Sequence, residues 1–241
     1  MIRLADLWKA FGKQQVLAGL TLEVEDGETL VLIGYSGSGK SVVLKHIVGL
    51  LVPDRGEVFV DDRAVSTLER PALNALRAEI GYVFQFAALF DSMTVADNIA
   101  LGLRRRDLSE DEIGERVGEA LAVVDLTGAG ERYPAELSGG MRKRVGIARA
   151  IALRPRYILY DEPTTGLDPV TAAVIDRLIV RTRERFGVTG LVVTHDMRSA
   201  YTVGDRMAML YEGRIHQVGT VAEMRETSDP VVRQFIEGRP T

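Results

Sequence analysis

A glycine-rich segment between an apolar run and an amphipathic run constrains this chain more than any other feature. Residues 34–41 read Gly-Tyr-Ser-Gly-Ser-Gly-Lys-Ser and follow the apolar stretch 29–33. They fit the template G-x-x-x-x-G-K-[ST], in which glycines let backbone N–H groups curl around an anion at a helix N-terminus. The sequence therefore predicts a phosphate-binding loop between a buried strand and a helix over the run 42–51.

Two side chains of this loop have the chemistry that a nucleotide requires. Lys40 is expected to reach the terminal phosphates, and the Ser41 hydroxyl is expected to bind Mg²⁺. The alternative is a flexible glycine turn with a solvated lysine. The pattern arises by chance in on the order of one chain in a hundred of this length, and chance does not also place a buried strand before it. We therefore favour the phosphate loop.

Composition limits the class of protein. The chain has 241 residues, of which 46% are hydrophobic, enough for a sizeable core in one large domain or two small ones. No apolar run approaches the roughly 18 to 20 residues that span a bilayer, and the N-terminus lacks a signal-peptide layout, which together predict a cytoplasmic protein. The absence of cysteine excludes disulfides and thiolate metal sites. The net charge of −4 argues against a nucleic-acid binder.

The N-terminal third reads mainly as strands. Residues 2–8 and 16–24 predict an antiparallel ribbon with one solvated face, and Phe11 lies between them. By itself Phe11 fits a core or turn aromatic better than a base-stacking platform. A strand over 56–60, a helix over 68–78 and a strand over 80–84 follow, and the last of these delivers Gln85 at its C-terminal end, where parallel sheets bind ligands.

Residues 86–136 lack the alternation of strand and helix and predict a helical insert. A short helix is expected over 94–101, and a capping box at 109–112 opens a second helix. Ser138 is then expected as N-cap of a helix over 142–153, and the two glycines that follow Ser138 leave backbone amides bare. This is either a second anion-binding helix start or an ordinary cap.

Polar residues end two further apolar strands. The strand 157–160 ends in Asp161 and Glu162, so that one carboxylate can hold Mg²⁺ or its water shell while the other takes a proton from an attacking water. The strand 191–194 ends in His195, which is either a satisfied polar residue or a catalytic one. Asp168 lies in a turn before a helix over 170–186. A hairpin over 206–218 and a short helix near 229–238 complete the chain.

In this order the motifs resemble the full set of an ATP-binding-cassette (ABC) ATPase, and the resemblance covers essentially the whole chain. It implies an α/β fold: a P-loop NTPase (RecA-like) core with an antiparallel β subdomain and a helical ABC subdomain. The single domain 1–241 would divide into core plus β subdomain over 1–85 and 157–228, a helical subdomain over about 86–156, and a C-terminal helix over 229–238.

The resemblance also implies a role for each motif residue. Glu162 would be the general base, His195 would contact the γ-phosphate, and Gln85 would sense Mg²⁺ and the attacking water, with Lys40 as the fourth catalytic residue. ATP would contact Phe11, stacked on adenine, and Gly34, Tyr35, Ser36, Gly37, Ser38, Gly39, Lys40, Ser41 and Val42, together with Ser138, Gly139, Gly140 and Asp168. Mg²⁺ would bind Ser41, Gln85 and Asp161.

Two positions depart from the family pattern. Met141 replaces the usual glutamine after the signature glycines, which removes a polar side chain near the ribose. Phe11 stands where tyrosine is more common, and it keeps the π-face while losing a hydroxyl. Neither change alters the expected ATPase chemistry.

Three strings resemble a narrower group, the ATPase subunits of Mla-type lipid transporters. They are Ala88 to Val95, the signature Leu-Ser-Gly-Gly-Met continuing as Arg-Lys-Arg-Val-Gly, and the tail Asp229 to Phe235. The implied partners are a second copy facing head to tail, a multi-span permease and an MCE-domain lipid-binding protein. A small cytoplasmic accessory subunit is a possible further partner, and nucleic acid is not an expected one. The implied location is the cytoplasmic side of the inner membrane, as a peripheral subunit.

The stretch Phe86 to Leu101 is the expected docking surface for the permease, because it follows Gln85 directly. Four large apolar side chains lie in it, and they either dock a permease helix or pack the insert: Phe86, Leu89, Phe90 and Met93. Two other functions compete with lipid transport. One is import of an amino acid or other small nutrient; the other is a soluble nucleotide-gated switch on nucleic acid or ribosomes, for which a second cassette, a long insertion or a basic face would be expected.

Overall fold

The computed structural model describes residues 1–239, which form two compact units. The first unit contains residues 1–77 and the chain from Thr189 to the described end, and the second contains Ala78–Val188. The strands are β1 Ile2–Phe11, β2 Gln14–Val24, β3 Thr29–Ile33, β4 Arg55–Val60, β5 Arg63–Ala64, β6 Ile80–Val83, β7 Tyr157–Asp161, β8 Thr189–Thr194, β9 Arg206–Tyr211 and β10 Arg214–Thr220. The helices are α1 Lys40–Ile47, α2 Arg70–Ala78, α3 Val95–Ala100, α4 Glu110–Val123, α5 Gly139–Ala152, α6 Pro169–Phe186, α7 Met197–Val203, α8 Val221–Glu226 and α9 Pro230–Ile236.

The first unit contains an antiparallel sheet in the order β2-β1-β4-β5. Apolar side chains alternate along β1 and β2 and are buried on one face, as Leu4 and Leu22 are, while residues such as Glu23 remain exposed on the other. This is the pattern of a sheet with one packed and one solvated face.

The same unit contains parallel strands that carry the phosphate loop. β3 is buried at every position and pairs in parallel with β8 and with β9, and β10 pairs with β9 in an antiparallel hairpin. Ile33 lies opposite Thr194 in this register. Gly34 and His195 therefore follow their strands at the same sheet edge.

The second unit is built on the parallel pair β6 and β7, with Val83 opposite Tyr160. Its regular elements between these strands are helical, and α5 packs against α3, α4 and α6. The register brings the ends of β6 and β7 to one edge, where Asp161 ends β7 and where Gln85 and Glu162 follow their strands.

Several predicted boundaries were wrong. β1 continues through Phe11, which ends a strand rather than lying between two, and the predicted strand 80–84 stops at Val83, leaving Phe84 exposed. The helix predicted over 142–153 begins earlier, at Gly139, and the helix predicted from residue 68 begins at Arg70 after a 3-10 turn over Val65–Thr67. Helices α7 and α8 were not predicted.

Within residues 1–239, every helix is either too short or too polar to cross a lipid bilayer.

Candidate functional site

The phosphate loop joins β3 to α1, as the sequence predicts. Gly39 occupies the N-cap of α1 with φ at 104°, a region that favours glycine, and a Cβ there would lie 2.8 Å from Val16 Cγ1. Lys40 is 6% exposed, and its Nζ donates to the carbonyl oxygens of Gly34 at 2.8 Å and Tyr35 at 3.1 Å. The ammonium group is thus held over the loop that it follows in sequence.

The loop fits the phosphates of a nucleotide. The Ser38 hydroxyl oxygen is buried and finds no hydrogen-bond partner among the described residues, so a phosphate oxygen would satisfy a group that is otherwise unpaired. The backbone amides of the loop and the N-terminus of α1 add the favourable end of a helix dipole.

Phe11 lies at the surface rather than in the core. Its side chain is 46% exposed at the end of β1, opposite Gln14. Lys9 Nζ lies 5.8 Å from the ring centroid. An exposed aromatic face at this position is consistent with base stacking and disagrees with the reading of Phe11 as a core residue.

His195 is exposed and follows β8 directly. The next residue, Asp196, caps α7 by accepting backbone N–H groups from Arg198 at 2.9 Å and Ser199 at 3.3 Å. His195 is therefore held between a buried strand and a capped helix, with its side chain open to solvent.

The carboxylates at the end of β7 are both buried, each 8% exposed. Asp161 accepts a hydrogen bond at 3.1 Å from the Tyr82 hydroxyl, and burial together with the Asp161 carboxylate raises the pKa of Tyr82. Glu162 accepts a hydrogen bond at 3.0 Å from Thr165 Oγ1 and has φ at 47°, in the left-handed region that few residues other than glycine occupy. The two adjacent carboxylates thus differ in partners and backbone conformation.

Gln85 and Glu162 are linked through a residue that the sequence did not single out. Lys143 lies on α5, is 6% exposed, and its Nζ donates to the carbonyl oxygens of Gln85 and of Glu162. Burial lowers the pKa of Lys143, while the nearby carboxylates of Glu162 and Asp161 oppose that change. A lysine among the charged residues 142–144 reads as solvated, and only the buried face of α5 could have indicated otherwise.

Ser138 is the N-cap of α5, and its Oγ accepts the Met141 N–H at 3.2 Å. Ser138 and Gly139 are exposed, whereas Gly140 is buried, and a Cβ on Gly140 would lie 2.4 Å from Thr171 Cγ2. The start of α5 therefore combines accessible backbone amides with close packing that leaves no space for a side chain.

Asp168 is the N-cap of α6. It accepts the N–H groups of Val170 and Thr171, each at 3.0 Å, and the Thr171 hydroxyl at 2.5 Å. The hydrogen bond from the Thr171 hydroxyl is the largest cause that lowers the pKa of Asp168. Asp168 and the signature glycine Gly140 thus lie on either side of Thr171.

An apolar groove of about 460 Å³ lies on the second unit beside the segment after Gln85. Two arginines line it, Arg105 and Arg149. Most of the other lining side chains are apolar or aromatic: Ile80, Tyr82, Phe84, Ala88, Phe90, Leu101 and Leu153. Phe90 is 51% exposed, and Phe86 nearby in sequence is 84% exposed. Both aromatics have more than half of their surface exposed, whereas Leu89 and Met93 are half-buried.

The described residues contain no cluster of three or more His, Asp or Glu side chains that could by itself hold a metal ion. Mg²⁺ is usually held by one or two protein carboxylates together with substrate phosphates and waters, so such a cluster is not required. Ser41 and Asp161 have the oxygen chemistry for this role.

Comparisons with known proteins agree with these motifs. The model of the family described as "ABC transporter" matches residues 17–165. The probable ribonucleotide transport ATP-binding protein mkl of Mycobacterium tuberculosis is 42% identical over 99% of this chain and 67% of its own length. The chloroplastic protein TRIGALACTOSYLDIACYLGLYCEROL 3 of Arabidopsis thaliana is 40% identical over 99% of this chain and 74% of its own length.

A nutrient importer subunit is similar to nearly the same extent. The sulfate/thiosulfate import ATP-binding protein CysA of Caulobacter vibrioides is 42% identical over 95% of this chain and 67% of its own length. Among solved structures, the ATP-binding cassette MJ0796, a dimer bound to ADP and Pi, superposes with a TM-score of 0.83 at 34% identity, covering 92% of this chain and 99% of that one.

Proposed function

This chain belongs to the ABC transporter family and is one of its ATP-hydrolysing subunits. From that premise we propose that it drives the movement of a lipid through a membrane-spanning partner protein. The fold is the mixed α/β P-loop NTPase fold of ABC cassettes. ATP is its substrate, and Mg²⁺ is its metal. The proposal concerns the residues that act on ATP, the partner and the transported molecule.

The phosphate loop binds the nucleotide in this proposal. Lys40 neutralises charge on the terminal phosphates, Ser38 and the loop amides donate to phosphate oxygens, and Phe11 stacks on the base. Ser41, Gln85 and Asp161 hold Mg²⁺, which when bound neutralises developing charge on the phosphates.

Glu162 takes the proton from the attacking water. Its carboxylate is oriented by the Thr165 hydroxyl, and its buried position limits competition from solvent. Gln85 orients the water, and His195 donates to the transferred phosphoryl group. The geometry that supports this assignment is the pair of buried carboxylates at the end of β7.

The exchange of Glu162 for Gln tests the catalytic assignment. It keeps the shape of the side chain and removes the base, so hydrolysis should fall by at least ~10²-fold while ATP binding is retained. Phosphate release and nucleotide titration are measured on the same preparation. A Glu162→Gln variant that still hydrolyses ATP at the wild-type rate would remove Glu162 from its role.

The apolar groove carries the proposal of a membrane-spanning partner. Phe84 and Phe90 line it with 40% and 51% of their surfaces exposed, which is costly unless another apolar surface covers them. Two lining residues flank Gln85, Phe84 directly before it and Ala88 three residues after it, so a change at Gln85 has a short path to a bound partner. The occupant that we propose is a cytoplasmic helix of a permease.

Lipid is the proposed cargo because three strings of this chain resemble the ATPase subunits of Mla-type lipid transporters, which work with MCE-domain proteins at the inner membrane. A relative that carries the name of a glycolipid, trigalactosyldiacylglycerol, matches 99% of the chain. Import of a small nutrient is the second candidate, and the similarity to a sulfate/thiosulfate import protein favours it.

Purification of the complex from native membranes separates the two cargoes. A lipid transporter should yield a multi-span protein, a lipid-binding component and bound lipid, whereas a nutrient importer should yield a multi-span protein with a soluble binding protein. Recovery of the nutrient set without any lipid-handling component would overturn the lipid assignment and leave the ATPase assignment in place.

The groove is tested in the same complex with Phe90→Asp. This variant should fold and bind ATP, yet lose both the membrane-spanning partner and ATP-dependent lipid movement in reconstituted vesicles. Leu50→Asp is the matched control, because Leu50 is 58% exposed and lies outside the groove. Retention of the partner by Phe90→Asp would contradict the docking site.

A further inference from the structure

Lys143 joins the two strand ends that carry the proposed water-activating residues. Its Nζ donates to the carbonyl oxygens of Gln85 and Glu162, the latter at 3.3 Å. Glu162 follows β7 directly, and Gln85 lies two residues beyond β6, in a parallel pair whose register places both ends at one edge. One buried ammonium group thus spans the two polypeptide segments.

Both acceptors are backbone groups, which matters for what Lys143 can do. A hydrogen bond to a side chain competes with the chemistry of that side chain, whereas a bond to a carbonyl oxygen fixes where the side chain starts. Lys143 therefore holds the main chains of Gln85 and Glu162 through their carbonyl oxygens and does not bind either side chain. Charge-assisted bonds of this kind are about twice as strong as neutral ones.

The backbone of Glu162 needs such support. Its φ of 47° lies in the left-handed region, which is unfavourable for residues other than glycine unless the surroundings determine it. The Thr165 hydroxyl orients the carboxylate, and Lys143 binds the carbonyl oxygen of the same residue. Glu162 is thus held at both ends.

The same helix holds the chain beyond Gln85. Ala87 and Ala88 also have left-handed φ values, 59° and 48°, and Arg149 donates to both of their carbonyl oxygens at 2.6 Å. Lys143 and Arg149 lie six residues apart on α5. The helix α5 therefore holds both ends of the segment 85–88. Lys143 holds the end at Gln85, close to Glu162, and Arg149 holds the end at Ala87 and Ala88, beside the apolar groove.

We propose that Lys143 is a positioning residue for hydrolysis, which sets the separation of the Gln85 and Glu162 main chains and so places the base against the attacking water. This inference rests on the proposed role of Glu162. Lys143 touches none of the reacting atoms in the proposal, and its effect passes through Glu162 and Gln85.

The test exchanges Lys143 for Met, which has a side chain of similar length and no donor. The kcat should fall by roughly 10- to 100-fold because misplacement of a catalytic group by about 1 Å has that cost, while the KM and Kd for ATP stay within about twofold. Lys143→Arg keeps a long cationic donor and should recover most of the kcat.

Arg144→Met is the matched control. Arg144 lies next to Lys143 on α5 and also donates to two carbonyl oxygens, those of Val124 at 3.1 Å and Asp125 at 3.0 Å, away from Gln85 and Glu162. Its loss removes the same charge and the same kind of hydrogen bond. Rates are expressed per nucleotide-binding molecule, so that unfolded protein does not count, and the Arg144→Met kcat should match the wild type.

A double variant shows whether Lys143 acts through the base. On the Glu162→Gln background, Lys143→Met should reduce the residual single-turnover rate by less than about twofold, because residues that act as a unit are not additive. A second full loss on that background would mean an independent role and would overturn the inference.

The failures are distinguishable. If Glu162→Gln hydrolyses ATP normally, the proposed catalytic role fails. If Glu162→Gln is inactive but the kcat of Lys143→Met stays at the wild-type value, or falls no further than the kcat of Arg144→Met, only the Lys143 inference fails. If Lys143→Met does not fold, Lys143→Ala replaces it, because the smaller side chain leaves space for water to satisfy both carbonyl groups.

Discussion

Phe11 ends its strand with nearly half of its side chain exposed, a position in which a core aromatic would gain little. The ring is exposed enough for a planar ligand to contact it, and the nearby Lys9 ammonium group, 5.8 Å from the ring centroid, is ion-paired with Asp54. Sequence reasoning favoured the core or a turn, because an isolated phenylalanine is usually buried. Its exposure at the strand end is a tertiary feature that periodicity does not report.

The Phe11→Ala variant should weaken ATP binding by roughly 1–3 kcal/mol, the range for losing an aromatic stacked on a base. Phe11→Tyr keeps the π-face and should bind ATP as the wild type does. Nucleotide titration measures the affinities, and urea unfolding checks that stability is unchanged. Equal affinity for the wild type and Phe11→Ala would reject the stacking role.

Lys143 and Tyr82 mark the limit of sequence reasoning about single residues. The phosphate loop, the carboxylate pair and the signature serine follow local rules, because each depends on neighbours in sequence. Lys143 acquires its partners from Gln85 and Glu162, and Tyr82 acquires Asp161 through strand pairing. Such contacts depend on register and helix packing, which no local pattern contains.

At the scale of elements, α9 packs an aromatic ring against the phosphate loop. The rings of Phe235 and Tyr35 are 5.0 Å apart and nearly perpendicular, and Tyr211 lies 6.4 Å from Tyr35. The carbonyl oxygen of Tyr35 also accepts a hydrogen bond from Lys40. The tail helix therefore contacts the loop residue that holds the lysine.

We expect Phe235→Ala to raise the Kd for ATP by roughly 2- to 10-fold, because an edge-to-face aromatic pair contributes about 0.5–1.5 kcal/mol and its loss frees the Tyr35 side chain. Phe235→Tyr keeps the ring and should have little effect. Isothermal titration with ATP provides the measurement. An unchanged Kd for Phe235→Ala would show that the loop is held without the tail.

The attachment of α9 should depend on pH. Asp229 is its N-cap; it accepts the N–H groups of Val231 and Val232, and it lies 3.0 Å from His216 Nε2. The backbone hydrogen bond from Val232 is the largest cause that lowers the pKa of Asp229 below its ordinary value of 3.8. A lowered carboxyl pKa stabilises the folded form above pH 3.8, and this contribution is lost as the pH falls through the lower, folded value.

Hydrogen exchange of the α9 amides, corrected for intrinsic rates, should therefore show protection at about pH 5 that is lost as the pH falls below about 4. Asp229→Asn keeps a capping oxygen and removes the charge, so its protection should not change over the same acid range. A pH dependence that persists in Asp229→Asn would assign the effect to another group.

The elements that sequence reasoning predicted and those it missed differ in length. The long strands and helices α4, α5 and α6 show clear periodicity, whereas α7 and α8 have seven and six residues, too few for two turns of an amphipathic pattern. Local signals for both were present, since Asp196 caps α7 and Thr220 with Glu223 forms a capping box before α8. Capping residues therefore indicate where these two helices begin, whereas hydrophobic periodicity does not.

At the scale of the whole molecule, the N-terminus of α5 is the element that suits a second copy. Ser138 and Gly139 are exposed at the start of a 14-residue helix, whose dipole and free amides favour an anion. We propose that these residues close over the ATP bound by the phosphate loop of the partner copy. The related cassette MJ0796 is described as dimeric in its ADP- and Pi-bound state.

In ATP and Mg²⁺ the Glu162→Gln variant should accumulate as an ATP-bound dimer, because hydrolysis no longer separates the copies. Adding Ser138→Arg to this variant should leave ATP binding intact and return the protein to monomer, since the long cation blocks the helix start. Ser109→Arg is the matched control: Ser109 is also exposed and also caps a 14-residue helix, and both exchanges lose an N-cap of about 1 kcal/mol. Size-exclusion chromatography with light scattering measures the mass. Two outcomes would contradict the head-to-tail arrangement: a dimer that persists with Ser138→Arg, or a Glu162→Gln variant that stays monomeric in ATP.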